Sequence, residues 1–529
     1  MQNATDAAAN GGGRVEVHLS EHTLYVANDG EPFTADGVRA VLAADISAKG
    51  DEQIGKFGIG FKSVLAVSDS PRVYSRSVSF GFDRTWAEGV LRGQGFESEH
   101  YPVMRLAKVL DPVADGSTSD PVLAELMTWA STVIVAPLIG GSQVLAARLA
   151  QFPPEFILFA THLKIVRLRS VLIDALGQSA ALSGDRTIER VDHGDGLVTV
   201  KAGPQEQKWS IARRRVVVSP AALAEAGHGV ARSSIELQYA VQLPPSKSDG
   251  ALWAYFPTEY KTTLSGIVNA PWKLSDDRRH LLEGRFNNEI LAALPELVAQ
   301  ALSQFADTDH AMALLDALPS RGGELGQKEA RNWVDAAING PIFEHMRGTA
   351  CLLAADGSLR KPSELRWLGE LGVPTWLERW SEVSGAPLGE WLDASAYSQE
   401  ERRLKVSRLK GAKADIDASA ASLGDWLEAL VRDKTVEAAA DAIRLAASLL
   451  RDEEGPTWLA RRARAKDRDT YEREVSQQIH AARSPPRGRH IQCPEAGSRV
   501  CAGPGRGPER RCLRRLRPDR TAGGQGSPR

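Results

Sequence analysis

The alternation of apolar and polar residues predicts a strand-rich first part of the chain. RVEVHLS and HTLYVAND alternate with a period of two, which is typical of half-buried strands, and a short turn at Ser20 and Glu21 joins them. The opening residues and FTADGVRAVLAAD have helical spacing, with Thr34 placed to cap the second helix and Asp36 in its first turn. RVYSRS, VSFGFDR and STVIVAPL predict further strands, and FILFATHLKIVRLRS predicts a helical run followed by a strand. This order indicates an α+β fold, a mixed α/β sandwich, over residues 1–170.

Two further units follow in the hydrophobic pattern. Residues 171–307 predict a second α/β domain, with successive antiparallel strands in LVTVKAG, QKWSIARRRVVVS, IELQYAVQL and ALWAYFPT and one amphipathic helix in NNEILAALPELVAQALSQF. Residues 327–466 predict a mainly helical region, as in SLGDWLEALVRDKTVEAAADAIRLAASLL. Inside it, ACLLAADGSLRKPSELRWL predicts two short strands joined by a turn at Asp356 and Gly357.

The hydrophobic rhythm is lost over residues 467–529. From residue 481 onward the chain has twelve Arg, three acidic residues and no Lys, so this end carries about +9 and the rest about −11. Cys493, Cys501 and Cys512 also lie there. Two interpretations stay open: a disordered basic tail that contacts nucleic acid, or the out-of-phase translation of a GC-rich reading frame. Neither predicts a folded domain.

Composition is ordinary for a globular protein. The 529 residues are 43% hydrophobic and 25% charged with a formal net charge of -2, which gives no reason to expect a nucleic-acid or membrane partner for the chain as a whole. The length predicts about three domains. Cys351 is the one cysteine before the basic end, which favours a reducing setting, and the sequence has neither a run of about 18 apolar residues nor a signal-peptide layout. We therefore expect a cytoplasmic protein.

The stretch IGKFGIGFKS, residues 54–63, contains three glycines just before an apolar run. Glycine lets the backbone approach a ligand closely, and a helix that begins beyond it presents unpaired N–H groups to an anion. Gly55, Gly58 and Gly60 therefore form a candidate phosphate cradle. The same spacing is also typical of a simple turn before a helix, so neighbouring motifs must decide between the two.

Three other stretches bear on that decision. MQNATDAAA opens the chain, VANDGEPF precedes the glycine segment and STVIVAPL follows it. In order and content the four stretches resemble the N-box, the two glycine motifs and the terminal threonine strand of the GHKL ATPase superfamily. Within it, IGKFGIGFKSVLAVSD looks most like the ninety-kilodalton heat-shock chaperones and the sacsin N-terminal domain. The resemblance covers residues 1–170, weakens over the following domain and ends near residue 310.

The resemblance implies a Bergerat-type ATP-binding fold with a Mg²⁺-dependent site. Asn3 on the opening helix would ligate the metal through its amide oxygen, and Asp6 would line the mouth of the site, although both residue types are also common on a solvated helix face. The positions implied to contact the phosphates are Gly55, Phe57, Gly58, Gly60 and Lys62. The polar stretch DISAKGDEQ would form a lid over the nucleotide.

The nucleotide base would be bound at the NDG motif. Where the superfamily has an aspartate that accepts from the adenine amino group, this chain has Asn28, followed by Asp29 and Gly30. An asparagine amide can accept from that amino group and donate to the neighbouring ring nitrogen, so base recognition is retained. The departure from aspartate makes adenine specificity a weaker prediction than phosphate binding. Gly30 would admit the backbone close to the base, and Thr132 would be the strand threonine near the adenine, although β-branched residues are common in any strand.

Arg278 and Arg279, in SDDRRHL, could supply a cation to the γ-phosphate in cis, and surface ion pairs with Asp276 and Asp277 explain them equally well.

The superfamily's general base is a glutamate one helical turn before the N-box asparagine. That position precedes Met1, so we expect Met1 to be an internal or miscalled start, with ATP hydrolysis dependent on restoring the glutamate.

The functional prediction is thus an ATP-binding protein that uses ATP and Mg²⁺, resembles sacsin and heat-shock chaperones, and acts on a protein client through conformational change. Two alternatives stay open. One is a non-hydrolysing nucleotide-binding module, and the other is a MutL-like or gyrase-like DNA-associated ATPase. No membrane partner is expected, and no nucleic-acid partner outside the basic end.

Overall fold

The computed structural model describes most of the chain up to residue 410. The described residues are 1–8, 12–42, 62–99, 101–113, 120–173, 179–181, 185–227, 233–246, 249–275, 277–305, 312–319, 332–366 and 388–410, with isolated positions between 435 and 443.

Short helices alternate with strands in the first part of the chain. Its elements are α1 (Gln2–Ala7), β1 (Arg14–Leu19), β2 (Thr23–Asn28), α2 (Ala35–Leu42), β3 (Arg72–Ser75), β4 (Ser79–Gly81), α3 (Arg84–Gly93), β5 (Lys108–Val109), α4 (Pro121–Met127), β6 (Thr132–Pro137), α5 (Gln143–Ala150) and α6 (Phe156–Phe159). Two single-turn 3₁₀ helices, Lys62–Ala66 and Val103–Arg105, lie among them.

Strands dominate the next part, and helices the last. The strand-rich part comprises β7 (Ile165–Ile173), β8 (Ser179–Ala181), β9 (Arg186–Gly194), β10 (Leu197–Ala202), β11 (Gln205–Val217), α7 (Pro220–Ala226), β12 (Ser234–Leu243), β13 (Gly250–Trp253), β14 (Pro257–Thr262) and β15 (Ile267–Asn269). The last part comprises α8 (Arg285–Leu291), α9 (Leu294–Ser303), α10 (Ala313–Ala317), α11 (Trp333–Arg347), β16 (Leu352–Leu353), β17 (Leu359–Arg360) and α12 (Glu400–Lys410), with 3₁₀ turns at Pro362–Glu364, Leu388–Glu390 and Ala394–Tyr397.

Strands β1 to β15 form one mixed sheet, which makes the fold α+β as expected. The order along the sheet is β14-β13-β15-β12-β11-β10-β9-β7-β1-β2-β6-β3-β4-β5, and β8 pairs with β7. Most neighbours are antiparallel, but β1 pairs with β7 and β13 with β15 in parallel. Strands β16 and β17 form a separate hairpin whose turn has Gly357 at φ 86°, which confirms the turn predicted there.

The sequence predicted the local elements of the first part well. Strands β1 and β2 form the expected antiparallel hairpin, closed by a hydrogen bond from Ser20 N–H to the Thr23 carbonyl at 2.9 Å. Helix α2 begins where expected, because the Thr34 hydroxyl accepts from Gly37 N–H at 3.0 Å and Asp36 lies in the first turn. The run FILF forms α6, and the following alternating residues form β7.

Two expectations for the second unit were wrong in detail. ALWAYFPT is not one strand, because the chain turns at Tyr255, where φ is 65°, and splits into β13 and β14. The predicted antiparallel succession is confirmed from β10 through β11 to β12. It fails at the next step, since β15 lies between β12 and β13 and runs parallel to β13.

The single helix predicted in NNEILAALPELVAQALSQF is likewise two helices, α8 and α9. Pro295 explains the break: it lacks the N–H that a continuous helix would need, and its ring would clash with the Leu291 carbonyl one turn earlier. As a first-turn residue of α9, Pro295 is well tolerated.

The predicted boundary at residue 170 falls inside β7, and the division of the chain into domains stays a prediction. The helix predicted in SLGDWLEALVRDKTVEAAADAIRLAASLL and the basic end, 467–529, lie outside the continuously described residues. Within the described part of the chain, none of the helices combines the length and apolar character needed to cross a membrane.

Four hydrophobic clusters cover the sheet. The largest packs α8, α9 and α11 against β11 and β12. A second joins α1, α6, β1 and β7, a third packs α4 against β2 and β6, and a fourth joins α2 and α3 to β3 and β4. The second and fourth clusters flank the ends of β2 and β6, where the predicted base-binding residues lie.

Candidate functional site

Three polar side chains form a row across the ends of β2, β6 and β3. Asn28, the last residue of β2, pairs with Thr132, the first residue of β6, and Thr132 pairs with Ser75, the last residue of β3. All three are buried, and the hydroxyl oxygens of Thr132 and Ser75 lie 3.0 Å apart. Directly paired residues of neighbouring strands point to the same face of a sheet, so the three side chains share one face. We call them the polar row.

The polar row interrupts the apolar covering of its face. On one side Val15, which pairs with Asn28, belongs to the cluster around α1. On the other side Val73 belongs to the cluster around α2, and Ile134 packs against it. A few convergent polar groups between apolar walls are typical of sites that orient a flat, partly apolar ligand.

Backbone hydrogen bonds fix the Asn28 side chain. Its Oδ1 accepts from Gly30 N–H at 3.2 Å, which closes an Asx-type turn at the end of β2. The Oδ1 of Asp29 accepts from Gly13 N–H at 2.7 Å and from Arg14 N–H at 2.8 Å. Asp29 therefore ties the start of β1 to the end of β2. The Asp29 carboxylate is thus engaged with the backbone, so Asn28 is better placed than Asp29 to contact a base.

Gly30 is a position where no side chain fits. A Cβ there would lie 2.5 Å from the carbonyl carbon of Ala7 and 2.6 Å from its oxygen, so α1 packs directly against the motif. The Ala7 carbonyl also accepts from Glu31 N–H at 2.8 Å. From the other side, the Ser131 hydroxyl donates to the carbonyls of Gly30 and, at 3.2 Å, Asn28. The glycine is thus required by the close approach of the opening helix.

Helix α1 presents different faces to the core and to the outside. Ala4 and Ala8 are buried in the apolar cluster, whereas Asn3 is exposed and Asp6 is half-buried. Asn3 lies four residues before Ala7, about 6 Å along the helix axis from the contact with Gly30. Among the described residues, no group of three or more His, Cys, Asp or Glu side chains could hold a metal ion.

The segment after Gly30 is anchored over the polar row. Phe33 N–H donates to the Ser75 hydroxyl at 3.1 Å, and the Ser77 hydroxyl donates to the Phe33 carbonyl at 2.6 Å. Ser75 and Ser131 were missed by sequence reasoning. The available signal was their position, since Ser75 lies within the predicted strand RVYSRS and Ser131 directly precedes Thr132. Strand pairing was needed to bring them together.

The predicted phosphate positions Gly55, Phe57, Gly58 and Gly60, and the lid stretch, lie outside the described residues. The described residues continue from Lys62, and the predicted helix start after the glycines is a 3₁₀ helix, Lys62–Ala66. The end of this turn is attached to the sheet, because Ile139 N–H donates to the Val67 carbonyl at 3.0 Å.

The structure does not bring Arg278 and Arg279 to the polar row. Both are exposed, and the Arg279 guanidinium lies 3.1 Å from the carboxylate of Glu259 on β14. Eight strands separate β14 from β2 in the sheet order. The predicted contact with a phosphate therefore finds no support in the described geometry. Arg279 instead forms a surface ion pair with Glu259, and Asp276 lies outside the described residues.

The opposite face of β1 and β2 carries charged residues. Glu16 is fully buried, and the cations around its carboxylate are Arg14 at 2.8 Å, Arg169 at 3.1 Å and Arg167 at 4.0 Å. Arg169 also contacts Glu125 of α4 at 2.8 Å. We call Glu16 and these three arginines the charged network.

Two titratable residues beside the charged network have shifted pKa values. Burial, and then the cation of Arg169, lower the pKa of His18 below its usual value. Burial, and then the hydrogen bond from the Tyr25 hydroxyl to Asp120 at 2.9 Å, raise the pKa of Tyr25. His18 is therefore neutral near pH 7.

Two open grooves on the described surface lie away from the polar row. An open groove of about 600 Å³ between α7 and α8 is lined by Glu225, Glu283, Arg285 and Glu289, and another of about 570 Å³ lies near α9 and α11. Neither contains a predicted site residue. Both are shallow surface features, and their carboxylates are engaged locally, as where Glu289 accepts from Ser219 N–H at 2.7 Å.

Comparison with known proteins adds little to this geometry. No family model matches the chain, and no curated protein does. A solved structure described as the N-terminal domain of a DNA repair protein is similar at a TM-score of 0.27 and 10% sequence identity, covering 54% of this chain and 87% of that chain. A likeness this weak carries no argument about fold or function.

Proposed function

We propose that the polar row binds the base of ATP and that the protein is a Mg²⁺-dependent nucleotide-binding protein of the GHKL type. The observation that carries the proposal is the meeting of three predicted motifs at one place. Residues separated by over a hundred positions in the chain, Asn28 and Thr132, pair directly, and α1 packs on Gly30 beside them. The sequence resemblance predicted these roles from order alone.

The chemistry of the row supports recognition of a purine base. Asn28 offers an amide, Thr132 offers a hydroxyl, and both are buried between residues of two apolar clusters. Asn3 is an exposed residue of α1, the helix that packs on Gly30, and is the residue proposed for the magnesium and phosphate end. When bound, Mg²⁺ would neutralise phosphate charge. ATP hydrolysis, its coupling to conformational change and action on a protein client are proposed from the sequence resemblance alone.

The test is calorimetric titration of the full chain with Mg²⁺ and ATP. Replacing Asn28 with Ala should weaken binding by about 1–3 kcal/mol, because a buried hydrogen bond to the base is lost. Replacing Asp29 with Ala should mainly lower the free energy of unfolding, because two backbone N–H groups lose their acceptor. Asn288→Ala, at an exposed asparagine of α8, is the matched control and should bind as the parent does. Equal affinities for the parent and Asn28→Ala would refute the base site.

A further inference from the structure

The orientation of the Asn28 amide has a consequence for which base is bound. A backbone N–H can only donate, so the side-chain atom that faces Gly30 N–H at 3.2 Å is the carbonyl oxygen. The Asx-type turn therefore directs Nδ2, a hydrogen-bond donor, away from the turn. An aspartate in the same place would present only acceptors.

Thr132 does not impose a second constraint on the base. Its hydroxyl lies 3.0 Å from the Ser75 hydroxyl, and either of the two can donate to the other. When Ser75 donates to the Ser131 carbonyl, at 3.3 Å, Thr132 can donate to Ser75 and present a lone pair to a ligand. When Ser75 donates to Thr132, the Thr132 proton is free to point at a ligand. The hydroxyl can therefore meet either a donor or an acceptor.

We infer that the site binds both 6-aminopurine and 6-oxopurine nucleoside triphosphates, that is, both ATP and GTP, with similar affinity. This inference rests on the proposed function, because it assumes that the base lies against the polar row. With a 6-oxopurine, Nδ2 of Asn28 donates to O6 and the Thr132 hydroxyl accepts from N1–H. With adenine, Nδ2 donates to a ring nitrogen and the Thr132 hydroxyl accepts from the amino group.

An acidic residue would remove this tolerance. A carboxylate opposite O6 places two acceptors against each other without a proton between them, and specificity arises largely from such unfavourable pairs. Adenine would still bind with its amino group turned toward position 28, where the carboxylate accepts from that group and from Gly30 N–H while the Thr132 hydroxyl donates to the neighbouring ring nitrogen. The substitution Asn28→Asp, which changes the charge but hardly the shape, should therefore convert a tolerant purine site into an adenine-selective one.

The experiment measures the affinities of the full chain for Mg²⁺ with ATP, GTP and ITP by calorimetry. For the parent protein we expect the three affinities to agree within about tenfold, with ITP, which shares O6 but lacks the 2-amino group of GTP, close to GTP. For Asn28→Asp we expect GTP and ITP binding to fall by about tenfold or more relative to ATP. Thermal unfolding of the variant checks that it is folded.

The outcomes separate the two proposals. If ATP binds and GTP and ITP bind at least about a hundredfold more weakly in the parent protein, the inference is wrong and the proposed function stands. If none of the three binds, both are wrong. If Asn28→Asp is folded and keeps the parent's ratio of affinities, the amide does not select the base. A variant that fails to fold leaves the parent's ratio as the deciding measurement.

Discussion

The two faces of strands β1 and β2 bury different kinds of polar side chain. On the face covered by α1 the polar row is uncharged, and Asn28 and Ser75 contact the backbone of short connecting segments. On the face covered by α4, the buried carboxylate of Glu16 is paired with half-buried arginines. Both sets adjoin the same strands, yet only the first consists of neutral groups that can exchange one hydrogen-bond partner for another.

That difference suits the charged network to a structural role and the polar row to the binding role proposed for it. A buried ion pair must keep its partner, since removal of either member leaves a charge without compensation in a poorly solvated place. Exchanging the hydrogen-bond partner of a neutral hydroxyl or amide group costs less free energy, so these groups can bond to a ligand instead. The comparison therefore predicts that substitutions on the charged face change stability, and that substitutions on the other face change nucleotide binding.

The largest expected effect comes from breaking the charged network. Glu16→Gln should lower the free energy of unfolding by about 3 kcal/mol, because the half-buried arginines lose the fully buried carboxylate that they share. Glu125→Gln makes the same chemical change in another carboxylate that contacts Arg169. The Glu125 side chain is 55% exposed, so the loss of unfolding free energy should stay below about 1 kcal/mol. Urea denaturation at neutral pH measures both. If the two variants lost similar free energies of unfolding, burial of the carboxylate would not explain how the charged network stabilises the fold.

The next effect tests the contact between α1 and the NDG motif. Gly30→Ala places a methyl group within 2.6 Å of the Ala7 carbonyl, so α1 must shift. We expect the free energy of unfolding to fall by about 1–3 kcal/mol, together with weaker binding of Mg²⁺ and ATP. Gly89→Ala in α3 is the control, since no described atom lies within 4 Å of its Cβ position. That change should leave stability unaltered or raise it by about 0.5–1 kcal/mol. Unaltered stability and binding in Gly30→Ala would contradict the packing argument.

The sequence predicted one of these faces and not the other, for a physical reason. Asn28 and Thr132 belong to short motifs whose order along the chain resembles a known superfamily, so the order of the residues alone was enough to name them. Ser75 joins them only through the register of β3 against β6, which depends on residues far apart in the chain. Pro295 shows the same limit locally, because the apolar spacing continues across the break that it causes.

The charged network could not be predicted from the alternation of Arg14, Glu16 and His18. Alternating charged residues in a strand normally indicate a face exposed to water. Here Arg167 and Arg169 of β7, together with Glu125 of α4, cover them. The parallel pairing of β1 with β7 that brings Arg167 beside Glu16 joins residues about 150 positions apart. The pattern of one strand contains no information about what covers it.

The smallest expected effect concerns His18, which adjoins the charged network. Its pKa in the folded protein is lowered, first by burial and then by Arg169, while Glu16 acts in the opposite direction. The unfolded chain therefore binds more protons than the folded chain as the pH falls below about 6.5, and stability declines in that range. His18→Gln removes this proton uptake, so the decline in unfolding free energy between pH 7.5 and pH 5.5 should become shallower, whatever the change in absolute stability. His22→Gln, at an exposed histidine in the turn between β1 and β2, should keep the slope of the parent. Denaturant midpoints at the two pH values are sufficient, and an unchanged slope in His18→Gln would show that another group produces the pH dependence.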